Sequence, residues 1–342
     1  MDIRYPQPLR AGDVIGVTSP SSGVGAKERG RLARSLEVLC ERGFAVQVGD
    51  CMDGTTHVSA PVAQRAAELM RMLIDPRIRA IVPPWGGETA IDLLPHLDFD
   101  AISRAEPTWV VGYSDISTLL TPLTLLTGIA TVHGSNLMDT PYYVPAPLLP
   151  WTDIVALTAG AAFRQSSPGV HRLHDWDDWE ADPAVSRHAW NGDGIWTRLD
   201  AGTAAVDVSG RLIGGCIETL ANVAGSRYGD TSRLRSGSDT GLIVYVEASG
   251  DDAATICRNL HGMRLAGFFE GAGAILVGRT GAPNSPTLSQ AEAVLDALAV
   301  LGVPIIADVE CGHVPPQLPI VNGAWGRLVV SDSEQYLEQA LV

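Results

Sequence analysis

The sequence predicts a two-domain α/β protein, and three observations carry that prediction. Short apolar strands alternate with helices of about a dozen residues over the first 135 positions, the signature of a parallel sheet with right-handed crossovers. The rhythm breaks over 141–200, a stretch rich in Pro, Asp and Trp, and resumes from about 205. A chain of 342 residues is long enough for two cores.

In order, Asp13–Thr18 reads as a strand and Lys27–Gly43 as a helix with Leu32, Leu36, Val38 and Leu39 as its apolar positions. Phe44–Val48 is a second strand. A helix at Pro61–Leu73 opens with proline, whose fixed φ and missing N–H suit a first helical position. Arg79–Val82 is a buried strand running into Pro83-Pro84-Trp85-Gly86-Gly87-Glu88. Trp109–Gly112 and Ala130–Val132 complete a five-strand set. In the second domain, Gly210–Gly215 leads into a helix at Ile217–Val223. Leu242–Val246 is a strand ending on Glu247, followed by a helix at Asp252–Leu265 with an acidic start. Ala274–Val277 is a strand, Ser289–Leu301 a helix, and Pro304–Asp308 a strand running into Glu310-Cys311-Gly312-His313. The expected division is an N-terminal domain over 1–160, a Trp-rich linker and loop over 161–200, and a C-terminal domain over 201–342. Trp176, Trp179, Trp190 and Trp196 crowd a linker too polar to be a core element. They either pin it to the domain surfaces or offer a ring for a flat substrate group.

Composition narrows the function. Hydrophobic residues make up 46% and charged residues 18%, which describes a globular chain and not a disordered one. A net charge of −15 argues against a nucleic-acid partner. The opening MDIRYPQPLRAGDVIGV carries no apolar signal core, and no apolar run reaches the roughly 18 residues a membrane span needs. Five scattered cysteines without a C-x-x-C pair read as reduced thiols of a cytoplasmic protein. Cys311 and His313 lack a third nearby ligand, so no metal is expected there.

The most informative segment is Gly-Tyr-Ser-Asp-Ile-Ser-Thr at 112–118. It follows the apolar run Thr108–Val111 and precedes Leu119–Ala130. A strand that stops on a serine and turns into a helix pushes the hydroxyl out at the sheet's carboxyl edge. The unpaired amides of the helix's first turn then lie beside it. The G-x-S-x-G signature is half met, because Ile116 stands where the second glycine would be. Glu247 ends a buried apolar strand, where a lone charge needs a partner. His313 occupies the equivalent place after the last strand. Together Ser114, Glu247 and His313 supply nucleophile, orienting acid and base. His133 competes for the base role, and Glu310 and Asp115 are the alternative carboxylates.

These residues lie in stretches that resemble the LD-carboxypeptidases, serine peptidases with a Ser–Glu–His triad. The matching stretches are PPWGGETAIDLLPHLDFDAI, VVGYSDISTLL, TVHGSNL, GRLIGGCIETLANVAGSRY, LIVYVEAS, GAILVGR and CGHVPPQLPIVNGA. Length and the Trp-rich loop look like the microcin C immunity branch, not the shorter murein tetrapeptide carboxypeptidases. The resemblance implies Ser114 as nucleophile, His313 as general base and Glu247 as its partner. The amides of Asp115 and of the Gly86-Gly87 turn would form the oxyanion hole. It also implies a Rossmann-like N-terminal domain, a swivelling-type C-terminal domain, a site in the cleft between them, and a homodimer. No metal or cofactor is implied.

A small peptide or peptidyl-nucleotide substrate follows, with Trp85, Trp176, Trp179 and Cys216 as candidate contacts. Two departures bear on specificity. Cys216 stands where many relatives of this branch have Asn. The segment Ala248-Ser249-Gly250-Asp251-Asp252 is acidic where the branch offers a basic residue. A murein tetrapeptide carboxypeptidase, an acyltransferase on the same scaffold and a non-catalytic binding protein remain the alternative functions.

Overall fold

The computed structural model describes residues 1–235 and 241–342. It is a mixed α/β fold built on two sheets. The first takes five parallel strands from the N-terminal part: β1 (Val14–Val17), β2 (Ala45–Val48), β3 (Ile78–Ile81), β4 (Trp109–Gly112) and β5 (Thr131–His133). The helices α1 (Arg29–Glu41), α2 (Val62–Ile74), α3 (Phe99–Arg104) and α4 (Ser117–Thr127) supply the crossovers. The five strands, α1 and α2 lie within two residues of the spans expected from apolar periodicity, and α3 was not anticipated.

Between the sheets runs a short helix α5 (Trp151–Ile154), followed by β6 (Ala162–Gln165), β7 (Val170–His171), β8 (Gly192–Asp193) and β9 (Thr197–Arg198). The second sheet then begins with β10 (Val206–Cys216), which passes into the short helix α6 (Ile217–Leu220). It continues through β11 (Leu242–Glu247), α7 (Ala253–Leu265), β12 (Ala272–Gly278), α8 (Gln290–Leu298) and β13 (Ile305–Val309). Three more strands close the chain: β14 (Ile320–Asn322), β15 (Trp325–Val330) and β16 (Gln335–Ala340).

The strand orders are β14-β5-β4-β3-β1-β2 and β6-β16-β15-β10-β11-β12-β13-β9, with β7 and β8 forming a separate ribbon. In the first sheet the order turns back at β1 and β3, the position where an open α/β sheet leaves a crevice at its carboxyl edge.

Four features differ from the sequence expectation. The first sheet has a sixth strand, because β14 returns from the C-terminal part and pairs antiparallel with β5. The linker is not only a loop, since β6 and β9 extend the second sheet at its two edges. The last two strands, β15 and β16, were not anticipated. Finally, the Gly210–Gly215 segment, which leads into α6 as expected, is itself part of an 11-residue strand. Glycine in a strand marks close approach of another backbone, and here the reason is visible. A Cβ on Gly214 would stand 1.7 Å from the Tyr245 carbonyl oxygen, and one on Gly215 2.6 Å from Ser117 Oγ.

That approach joins the two sheets. Helix α4 is buried almost all round, as a helix apolar on every face must be. It packs on the first sheet with one side and on β10 with the other, where Thr121 Oγ1 donates to the Gly214 carbonyl at 2.8 Å. Leu119, Leu120 and Leu123 share one apolar cluster with Ile213, Ile217 and Leu220. A polar bridge parallels it: the Tyr245 hydroxyl donates to Asn322 Oδ1 at 2.8 Å, and Asn322 Nδ2 donates to Thr131 Oγ1 at 3.1 Å. Gly215→Ala is therefore expected to lower stability by about 2 kcal/mol or more, because neither β10 nor Ser117 can yield without opening this seam. A chemical-denaturation midpoint equal to wild type would show that the seam accommodates the methyl group.

Candidate active site

Strand β4 is fully buried, and the chain leaves it through Gly112 and Tyr113 into Ser114. Ser114 has φ +63°, the left-handed region that a side-chain-bearing residue adopts only at some strain. The turn is immediately followed by α4, so Ser114 stands at the mouth of a helix N-terminus, with the favourable dipole end beside its hydroxyl.

The other two predicted residues reach it from the second sheet. Glu247 is the last residue of β11 and has no solvent exposure. His313 follows β13 in the loop Glu310–Gln317. His313 Nε2 lies 2.9 Å from Ser114 Oγ, and its Nδ1 lies 2.8 Å from Glu247 Oε2. Burial alone would raise the Glu247 carboxyl, but the charge and hydrogen bond of His313, with the His133 ring close by, outweigh it and bring the group down to about 2. His313 is raised above its ordinary 6.5: burial pulls it down, and the adjoining Glu247 carboxylate, aided by Glu218 and Asp139, pulls it up further.

His133 is the competitor that this geometry separates from the hydroxyl. Its ring is completely buried between Tyr113 and Tyr245, and its Nε2 lies 3.8 Å from the other Glu247 oxygen. It faces the carboxylate from behind. Glu310, the alternative acid, also faces elsewhere. Its Oε2 accepts the Trp196 indole N–H at 2.7 Å, and its other oxygen accepts from the Ser167 hydroxyl. That pair ties the linker to the loop that carries His313.

Asp115 performs a related task on the nucleophile side. Its carboxylate accepts from the Ser21 hydroxyl at 2.6 Å, the Ala90 N–H at 2.8 Å and the Thr118 hydroxyl at 3.3 Å. This clamps the Gly86–Ala90 segment beside the serine turn. A Cβ on Gly86 would lie 2.9 Å from the Asp115 amide nitrogen and 3.2 Å from Ser114 Oγ. Glycine leaves that space empty, where an attacked carbonyl oxygen would need to sit. Among the described residues, the N–H groups of Gly86, Gly87 and Asp115 have no acceptor.

The site opens into a cleft of about 460 Å³ walled by Tyr142, Tyr143, Trp176, Trp179 and His188, with Tyr113, Asp139 and His313 at its inner end. Trp176 is 58% exposed, with the Arg172 guanidinium 6.0 Å from its ring centre on one side and the rest of the ring open. Trp179 is committed: its N–H donates to the Tyr142 hydroxyl at 2.9 Å and the Arg31 guanidinium lies 5.0 Å from its ring centre. Tyr142 stacks on His188 at 3.8 Å, and burial pushes that imidazole down to about 4. Trp85 and Cys216 do not line the cleft. The Trp85 indole donates to the Ser22 and Gly23 carbonyls, and Cys216 is buried beside Glu247. Sequence reasoning missed Asp139, whose carboxyl burial pushes up to about 6 against the pull of Arg31, Tyr113 and His313. Its place just past β5, another strand end, was the available signal.

The arrangement contains what acyl transfer requires: a hydroxyl on an imidazole, a buried carboxylate fixing the imidazole, and free amides beside the hydroxyl. The LD-carboxypeptidase N-terminal domain profile matches residues 15–134, and the C-terminal domain profile of the same family matches residues 209–328. The chain belongs to the LD-carboxypeptidase family. A Vibrio cholerae protein that carries a carboxypeptidase name is 28% identical over 95% of this chain and 94% of its own length. The Microcin C7 self-immunity protein MccF of Escherichia coli is also 28% identical, over 96% of each chain. In three dimensions, the structure of MccF in complex with glutamyl sulfamoyl guanosine superposes with a TM-score of 0.81 at 23% identity, covering 98% of both chains. An MccF-like protein from Bacillus anthracis gives 0.80 at 22%, covering 98% of this chain and 99% of its own. Among the described residues no helix is long and apolar enough to cross a membrane.

The electrostatics make one expectation directly measurable. A ring-proton NMR titration should place the His313 midpoint above 6.5 in the wild type. In Glu247→Gln the carboxylate charge is gone while burial remains, so the midpoint should fall below that value. An unchanged midpoint in the variant would assign the proton-holding role to another acid.

Proposed function

We propose that this chain is a serine-type amide hydrolase of the carboxypeptidase kind. It would cleave the terminal amide, acyl-sulfamate or phosphoramidate bond of a small peptide conjugate, in the manner of peptidyl-nucleotide detoxification. The observation that carries the reading is the unbroken relay from Ser114 Oγ through His313 to the buried Glu247 carboxylate.

In this reading His313 Nε2 takes the Ser114 proton as Oγ attacks the carbonyl carbon. Glu247 holds the remaining ring proton on Nδ1 and balances the imidazolium charge. The developing oxyanion turns toward the amides of Asp115 and the Gly86-Gly87 turn, which have no other acceptor among the described residues. Collapse of the tetrahedral intermediate breaks the bond to the leaving nitrogen, which receives the proton from His313. A water then repeats the sequence on the acyl-enzyme and frees Ser114. Glu247 and His313 come from the second sheet and Ser114 from the first, so closure of the seam between them is part of the mechanism. By family resemblance the working form would be a homodimer.

The peptidyl-nucleotide assignment draws on the aromatic wall of the cleft, which suits a purine face better than a murein peptide. It also draws on the MccF relative, one structure of which holds aspartyl sulfamoyl adenosine. A murein-type activity is the second reading, since a murein peptide carboxypeptidase name attaches to a Bacillus subtilis relative that is 24% identical.

Two experiments test the proposal. Ser114→Ala should lose turnover of an aminoacyl-sulfamoyl adenosine by roughly a million-fold while remaining folded, leaving only what oxyanion stabilisation and binding provide. Retention of a tenth of wild-type activity would remove Ser114 from the mechanism. Trp176→Ala should raise KM for nucleotide-bearing substrates by roughly 5- to 150-fold, the equivalent of a lost base stack, and leave a plain peptide substrate unaffected. Equal effects on both substrate types would favour the murein reading.

A further inference from the structure

We propose that Glu218 sets the charge specificity of this cleft, so that the residue attacked by Ser114 carries a cationic or uncharged side chain and not a carboxylate. The inference rests on the reading of Ser114 as nucleophile and deepens it.

Beyond Glu247, the chain turns through Ser249, Gly250 and Asp251, whose three N–H groups converge. Such a concavity of backbone donors is an anion site. Here it is already filled. Glu218 Oε1 accepts from Ser249 at 2.8 Å, Gly250 at 3.0 Å and Asp251 at 3.3 Å. Its other oxygen faces the Cys216 thiol at 3.2 Å, and Cys216 is itself fixed by the Ser117 hydroxyl at its amide. Both carboxylate oxygens are therefore held. A substrate carboxylate could use these amides only by expelling Glu218.

The filled concavity borders the reactive end of the cleft. Ser249 lines the cleft together with His313. Asp139 lines the same cleft, and Glu218 stands directly behind Ser249 through the 2.8 Å bond to its amide, so both acids lie near the His313 end and their charges act on its imidazole. The cations that could offset them are occupied. Arg172 pairs with Asp177 at 2.6 Å. Arg31 donates to the carbonyls of Met138, Pro183 and Val185 and lies against the Tyr142 ring. Among the described residues, no lysine or arginine lines the cleft. An anionic side chain entering beside Ser114 thus meets two carboxylates and no counter-charge, in a partly desolvated space where Coulomb terms are large. A cationic one meets a favourable negative field, and an uncharged one is neutral to it.

The test uses three ligands that differ only in the aminoacyl side chain: lysyl-, glutaminyl- and glutamyl-sulfamoyl adenosine. Binding is read by calorimetry on full-length Ser114→Ala, and kcat/KM on the wild type. Both should rank lysyl and glutaminyl above glutamyl by about tenfold or more. Glu218→Gln keeps an acceptor for the three amides and removes the charge. With Ser114→Ala it should bring the glutamyl ligand to within about threefold of the glutaminyl one. Equal affinity for all three ligands, a glutamyl preference in the wild type, or an unchanged ranking in Glu218→Gln would overturn the inference. Should Glu218→Gln fail to fold, the wild-type ranking decides alone. Charge discrimination that persists while Ser114→Ala retains turnover would sink the nucleophile assignment and leave the charge selectivity standing. Failure of all three ligands to bind would overturn both.

Discussion

The fully buried carboxylate of Glu247 is the constraint around which the rest of the site is arranged. An ionised group with no access to water is tolerated only where fixed partners replace its hydration. His313 provides one partner through a 2.8 Å contact, and His133 stands behind the second oxygen at 3.8 Å. The space around the side chain is equally specific. A Cβ on Gly312 would come within 2.4 Å of Glu247 Oε2, and one on Gly278 within 2.6 Å of its Cβ. The loop carrying His313 can approach the end of β11 only because both positions lack side chains. Removing the carboxylate would leave the buried His133 and the partly exposed His313 imidazoles facing a vacancy, so its charge is a structural condition as well as a chemical one.

A second constraint fixes the serine relative to that acid. Ser114 belongs to the first sheet, and its left-handed backbone is maintained by what surrounds it. Below, α4 is wedged between β10 and the first sheet. Beside it, the Asp115 carboxylate gathers Ser21, Ala90 and Thr118. The distance between Ser114 and His313 is thereby set by packing across the seam, where Gly215 lets α4 and the second sheet close on each other. Tyr245, Asn322 and Thr131 secure the same seam with hydrogen bonds. Precision at the reacting atoms is thus inherited from contacts several residues away.

The cleft separates two roles that sequence alone had merged. Trp179 is spent on the architecture of the loop, through Tyr142 and Arg31, whereas Trp176 keeps an open face. Trp85 and Cys216, grouped with them as candidate substrate contacts, are turned into the protein instead. Cys216 nevertheless touches specificity at one remove, since its thiol meets the carboxylate that fills the amide concavity after β11.

The sequence by itself determined the alternating elements, the strand ends and the candidate polar residues gathered there. Apolar periodicity and turn chemistry are local, and a polar residue closing a buried strand is visible without coordinates. Ser114, Glu247 and the two candidate histidines could therefore be read in one dimension. Tertiary structure alone decided which histidine faces the hydroxyl and which stands behind the acid, because His133 and His313 both follow apolar strands. It decided that β14 crosses back to the first sheet, since three residues carry no periodicity that names a partner. It also decided that Gly210–Gly215 is strand, because only the neighbouring groups explain the missing side chains. Long-range pairing and the filling of an amide concavity by Glu218 depend on residues dozens of positions apart, and no local pattern encodes them.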